Sequence, residues 1–389
     1  MNANDLNSFY LFLLCIIVIH PNSLYSIMPP IIHHIETALP PFKHNQDDLR
    51  DRMKEITHSN EREQRIIHHL YARSGIKTRY SVINDFKKEG SHSLFFNGQG
   101  ATPGTASRND TYIREGRKLF VEIASKLLQN SEFNNKDITH LITVSCTGFY
   151  APGPDFDIIQ ALNLNPSIER YHLGFMGCYA AIPALKMADQ LCRANEDANV
   201  MIVSVELCTI HFQANPKMDA LLSASIFGDG GSGAIVSNRK SSHPSFSING
   251  FASALLEKGK DDMAWSIGDH GFNMVLSNYI PDLLSESLDK FMDPVLKKFN
   301  MEASDIDLWA IHPGGRAILD KVEKTLGLSS GALQSARSVL SEYGNMSSAT
   351  ILFVLKDLNL NTPKPASERT LAMAFGPGLT LETVDLTLV

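Results

Sequence analysis

From residue 28 onward the chain alternates between two hydrophobic periodicities. "DDLRDRMKEI" (47–56) and "YIREGRKLFVEIASKLLQ" (112–129) repeat apolar residues every three or four positions, which predicts amphipathic helices. "HLITVSC" (140–146) and "NVMIVSVEL" (199–207) are short β-branched runs, the pattern of strands covered on both faces. Helical segments alternating with such runs predict a layered α/β architecture. "SNRKSSHPSF" (237–246) is the most polar, turn-rich connection in mid-chain and predicts a boundary between one half over 28–240 and a second over 241–389.

The halves share a local pattern. Gly177-Cys178 leads into "YAAIPALKMADQL", and Gly344-Asn345 leads into "MSSATILFVLKDL". Each places a glycine, one polar side chain and small residues ahead of a bulky apolar run. Small residues let two helix starts approach, and a helix start aims free N–H groups and partial positive charge forward. Two such helices meeting head to head would put Cys178 and Asn345 in one pocket.

Ahead of residue 28 lies an unbroken apolar run, "FYLFLLCIIVI" (9–19). It is shorter than the roughly 20 residues of a membrane span, and no Lys or Arg precedes Lys43, so the basic flank of a secretory signal is missing. The favoured reading is an upstream extension over 1–27, with the working protein starting at Met28. A membrane-associating segment and a removed signal are the alternatives, so membrane contact stays open.

Composition narrows the function classes. The 389 residues are 43% hydrophobic and 20% charged, with net charge −7. No dense Lys/Arg run is present, which removes a nucleic-acid partner. Five cysteines (Cys15, Cys146, Cys178, Cys192, Cys208) without CxxC spacing argue against a disulfide framework or a zinc site and fit a reducing cytoplasm. No HExxH-type spacing exists, so no metal is expected. "GDGGSG" (228–233) matches GxGxxG formally, but "AIVSN" follows it as a strand, whereas a dinucleotide site needs a helix there.

The reactive candidates are few. Cys178 opens an alanine-rich apolar segment, where a helix dipole would lower its pKa and favour the thiolate. Free cysteines are also often small buried hydrophobes, the reading that suits Cys146, Cys192 and Cys208. Among 14 histidines, His312 has the best setting, between a short apolar strand and a Pro-Gly-Gly turn.

Cys178, His312 and Asn345 with their flanks resemble the type III polyketide synthases, the chalcone and stilbene synthase family of the thiolase fold. The matching stretches are "GCYAAIPALKMAD", "SIFGDGGSGAIV", "IHPGGRAILDKVEKTLGL", "SEYGNMSSATILFVL" and "FGPGLTLETV", and they span most of residues 28–389 in order. The resemblance implies a thiolase-like, five-layered αβαβα fold of two similar halves, assembled as a homodimer. It implies an acyltransferase whose Cys178 thiolate, paired with His312 imidazolium, takes an acyl group from an acyl-CoA. Decarboxylation of malonyl-CoA then gives an enolate, with His312 and Asn345 as donors, and Claisen condensation lengthens the chain. No cofactor is required beyond the coenzyme A thioesters.

By the same resemblance Phe227 falls on the gatekeeper between tunnel and cavity, and Met274 stands where plant enzymes carry a second phenylalanine. Trp265 falls near a position that is glycine in chalcone synthases, and Cys208 and His211 replace threonines. Cys146 and Thr147 complete the expected substrate pocket. For coenzyme A the matches are Arg73, Gly314 and Gly315, while His69 stands where an arginine would be expected. "SVELCTIHFQ" resembles bacterial members that make alkyl products, which suggests a fatty acyl starter and an alkylpyrone or alkylresorcinol. The alternatives are a single-condensation ketoacyl synthase or hydroxymethylglutaryl-CoA synthase, and a non-catalytic acyl-CoA-binding protein.

Overall fold

The computed structural model describes residues 28–57, 60–86, 94–95, 102–256, 259–277, 279–362 and 367–389. The apolar leader over 1–27 lies outside them. In chain order the strands are β1 (Ile31–Ala38), β2 (Phe42–Asn45), β3 (Thr78–Ser81), β4 (His140–Ser145), β5 (Glu169–Gly174), β6 (Asn199–Leu207) and β7 (Asp229–Ser237). They continue as β8 (Phe246–Leu255), β9 (Met263–Gly268), β10 (Gly271–Leu276), β11 (Leu308–Ile311), β12 (Glu368–Gly376) and β13 (Thr380–Leu388). The run "NVMIVSVEL" is β6, buried at all nine positions, as expected of a strand covered on both faces.

Nine strands join in one sheet, ordered β11-β12-β13-β8-β1-β7-β6-β4-β5. At its centre β1 meets β8 through only two residue pairs, Ile31 with Ser247 and Ile32 with Phe246. This thin seam divides the sheet into a β11-β12-β13-β8 half and a β1-β7-β6-β4-β5 half. The polar stretch 237–246 is the connection from β7 to β8 across it.

Two helices fill the space between the halves. Helix Ala181–Ala194 packs on β6, β7 and β13, and helix Thr350–Asn361 on β1, β7, β11 and β12. Being covered on both sides, the second buries Ile351 through Leu355 without interruption. Helix Thr105–Asn130 covers the outer face of β1, β6 and β7, and helix Ile280–Phe299 that of β8 and β13. The result is an α/β fold in five layers.

The glycine motif that mimics a dinucleotide loop lies mostly within β7, where it serves packing. A methyl on Gly231 would come within 2.5 Å of Ile123 Cδ1, and one on Gly233 within 2.6 Å of the Ile202 carbonyl. Without side chains here, the long outer helix seats directly on the sheet.

Candidate active site

Three chain reversals bring Cys178, His312 and Asn345 to the wall of one cavity of about 50 Å³. Cys178 follows β5, after a bend in which Phe175 (φ 60°) and Gly177 (φ 97°) both take the left-handed conformation. A side chain at Gly177 would also strike Pro377, whose Cδ would lie 2.4 Å away. Cys178 does not open the helix as expected. It occupies a turn over 178–180, ahead of the first helical residue, Ala181. A macrodipole falls off within the first turn, so the field at Cys178 is weaker than that reading assumed.

His312 follows β11, and its backbone N–H donates to the Met373 carbonyl at 2.8 Å. Neither ring nitrogen has a protein hydrogen-bond partner, although the ring is almost fully buried. Asn345 is bridged to Phe227, with Gly228 N–H donating to the Asn345 carbonyl at 3.0 Å and Asn345 N–H to the Ile226 carbonyl at 2.9 Å. Its side chain has a defined polarity. Oδ1 accepts the Ser347 N–H at 2.8 Å, which directs Nδ2 to the Gly314 carbonyl at 3.3 Å and leaves one N–H available to the cavity.

Burial dominates the proton affinities here. It pushes the Cys178 thiol up to about 11, against smaller opposing effects of Ser347 and Asn345, and it pushes His312 down to about 3. Taken singly, both groups are neutral at pH 7, contrary to the sequence expectation of a dipole-lowered thiol. Among the described residues on this cavity wall only His312 can serve as a base. A proton passed from Sγ to the ring would give each group the counter-charge that burial denies it.

Sequence reasoning missed Glu206, fully buried near the end of β6. Its carboxylate accepts from Cys146 N–H at 2.9 Å, Thr147 hydroxyl at 2.9 Å and the Ser348 hydroxyl. The available signal was the one charged residue in the strand run 199–207. Desolvation raises the Glu206 pKa, and its charge in turn raises that of Cys178.

A second cavity, of about 310 Å³, adjoins the first. The two share Cys208, Phe227, Trp265, Met274 and Val275 as a common wall. Trp265 points inward, its indole N–H donating to the Cys146 carbonyl at 3.0 Å. Cys146 and Thr147 line the smaller cavity. His211 lines the larger, stacked on Phe272 with ring centroids 4.0 Å apart. Its Nε2 donates to the Thr147 carbonyl at 2.7 Å and Nδ1 accepts Phe272 N–H at 3.1 Å, which fixes a neutral tautomer.

The coenzyme A candidates are not gathered in the same way. Gly314 lines the Cys178 cavity, whereas Gly315 and Arg73 line neither. Arg73 is exposed at the end of helix Glu61–Arg73, as is His69 on the same helix. Two residues beyond Arg73, a methyl on Gly75 would lie 3.3 Å from Arg316 Cβ. Arg316, unremarked in the sequence, therefore stands near Arg73 as an exposed cation at the start of helix Arg316–Thr325.

Among the described residues no group of three or more metal-ligating side chains is present, and no helix is long and apolar enough to cross a membrane. Residues 25–239 match the N-terminal domain of the chalcone and stilbene synthases, and residues 248–389 match their C-terminal domain. The fold is similar to that of PKS-I from the brown alga Ectocarpus siliculosus, with TM-score 0.87 and 28% identity over 93% of this chain and 99% of that one. It is also similar to the C-terminal type III polyketide synthase domain of Steely1, a type I/III hybrid from Dictyostelium, with TM-score 0.86 and 26% identity over 93% and 99%.

Proposed function

We propose, from the premise that this chain belongs to the chalcone and stilbene synthase family, that it is a polyketide synthase loading an acyl-CoA starter on Cys178 and extending it with malonyl-CoA. One observation carries the assignment of roles: Cys178, His312 and Asn345, from three distant segments, line a single cavity. His312 acts as the base that takes the Sγ proton as sulfur attacks the thioester carbonyl, and passes it to the coenzyme A thiolate that leaves. After acyl transfer, malonyl-CoA loses carbon dioxide. The enolate oxygen then receives hydrogen bonds from the His312 ring and the cavity-facing N–H of Asn345 Nδ2. Attack of the enolate carbon on the acyl-cysteine adds two carbons and regenerates the thiolate.

The starter we propose is a medium- to long-chain fatty acyl group, closed finally into an alkylpyrone or alkylresorcinol. A cavity of about 50 Å³ beside the nucleophile is far below the roughly 300–1,000 Å³ of ligand pockets. The adjoining cavity of about 310 Å³, with Leu49, Met53, Phe86 and Phe212 on its wall, supplies apolar room for a chain. The exposed Arg73 and Arg316 are proposed to meet the coenzyme A phosphates, with Gly314 and Gly315 giving the pantetheine arm close approach. A homodimer is proposed as well, since β5 leaves one edge of the nine-stranded sheet unpaired.

The test is a panel of acyl-CoAs from acetyl to palmitoyl with malonyl-CoA, products read by mass spectrometry. Multiply extended products whose rate rises with chain length until the chain fills the cavity are expected, and loss of all product in Cys178→Ala. Condensation by Cys178→Ala would overturn the covalent mechanism. Products of one condensation only, with malonyl-CoA in excess, would favour a ketoacyl synthase.

A further inference from the structure

Cys146 uses every polar atom it has, each toward a different part of the site. Its N–H donates to Glu206 at 2.9 Å, and its carbonyl accepts the Trp265 indole N–H at 3.0 Å. Its thiol holds the residue before the nucleophile at two points: Sγ accepts Gly177 N–H at 2.9 Å and lies 3.7 Å from the Gly177 carbonyl, within reach of S–H donation. The thiol is buried, and desolvation raises its pKa strongly, so it stays protonated and keeps both contacts.

The held residue closes a strained bend. Phe175, two residues earlier, has positive φ, a state that is costly for a non-glycine residue and persists only when its surroundings enforce it, and Gly177 has positive φ as well. Pro377 blocks one side of Gly177. The Cys146 thiol supplies a hydrogen-bonding clamp on the peptide that leads into Cys178.

We propose that Cys146 is a positioning residue that sets the direction of the Cys178 sulfur through Gly177 and, through its carbonyl, fixes Trp265 in the wall between the cavities. One residue thus aligns the nucleophile with the surface along which the acyl chain runs. The inference rests on the reading of Cys178 as nucleophile.

The test uses Cys146→Ala and Cys146→Ser in the full chain, with Cys178→Ala beside them. Single-turnover acyl loading, KM for acyl-CoA and melting temperature are measured on each. Misplacing a reacting atom by about 1 Å can cost on the order of 100-fold in rate. Loading by Cys146→Ala should fall by that order with KM nearly unchanged. Cys146→Ser, whose hydroxyl can both accept and donate, should recover part of the loss at equal thermal stability.

Wild-type loading by Cys146→Ala would overturn the proposal, as would a loss that Cys146→Ser fails to relieve while both variants melt like the wild type. Should Cys146→Ala not fold, Cys146→Ser decides alone: a moderate loading defect at unchanged KM supports the clamp, and none refutes it. If Cys178→Ala still loads, it is the nucleophile assignment that fails instead.

Discussion

Trp265 on β9 and Met274 on β10 are cross-strand partners, and both stand in the wall shared by the two cavities. A rigid indole held by a hydrogen bond faces a flexible thioether, so the hairpin presents one fixed and one adaptable side chain to whatever passes between the cavities.

Removing the fixed member should lengthen the accepted chain. Trp265→Gly opens the wall and deletes the hydrogen bond to Cys146. Each added methylene buried is worth about 0.8 kcal/mol, roughly fourfold in kcat/KM. The optimum in an acetyl-to-palmitoyl series is expected to move to longer chains in the variant, with short-chain rates little changed. An unmoved optimum would show that the chain does not cross this wall.

The steps of the reaction should separate by residue. Loss of one oxyanion donor typically costs about 100- to 1,000-fold, so Asn345→Ala should slow malonyl-CoA decarboxylation by that order and His312→Gln should also impair it. Cys178→Ala should abolish acyl loading while keeping some decarboxylation. Carbon dioxide release and intact-mass acylation measure the two steps independently. Wild-type decarboxylation by Asn345→Ala would remove its amide from the enolate site.

Much of the fold was legible because its signals are local. β6 and the helix Thr105–Asn130 follow from periodicity alone. Cys178 and Asn345, which follow the glycines of the two similar segments, line one cavity. What failed was range and depth. Where Cys178 sits relative to its helix depends on two positive-φ residues that no periodicity encodes, and its raised pKa depends on burial contributed by distant segments. The direction of Trp265 was undecidable because strands β9 and β10 are short and partly exposed on both faces.

His211 should make the protein acid-sensitive. Burial lowers its pKa from 6.5 to about 4, and Nδ1 must stay unprotonated to accept the Phe272 N–H. Because the folded value lies below the unfolded one, the unfolded chain takes up the proton first as pH falls. Stability is then lost between about 6.5 and 4, by up to roughly 3 kcal/mol for such a shift. His33 and His312 share this direction, so the measurement is a difference. The melting temperature of His211→Gln should decline less over pH 6.5 to 4 than that of the wild type. Parallel curves would mean that His211 is not held neutral.

The reactivity of Cys178 should depend on His312 more than on its own surroundings. Burial raises the thiol to about 11, with its opposing neighbours the uncharged side chains of Ser347 and Asn345, and His312 is the only base among the described residues on the cavity wall. With the imidazole present, ionisation of the sulfur can proceed by internal proton transfer, and the pair titrates as a unit. With glutamine in its place the proton must leave to solvent, and the full cost of a buried thiolate reappears. Iodoacetamide labelling of Cys178, followed by peptide mass spectrometry from pH 6 to 11, should proceed near neutral pH in the wild type. In His312→Gln it should rise about tenfold per pH unit toward 11, as expected for a lone thiol of that pKa. Coincident profiles for the two proteins would show that His312 does not receive the Cys178 proton, and the base in the loading step would have to be sought in the thioester substrate or solvent.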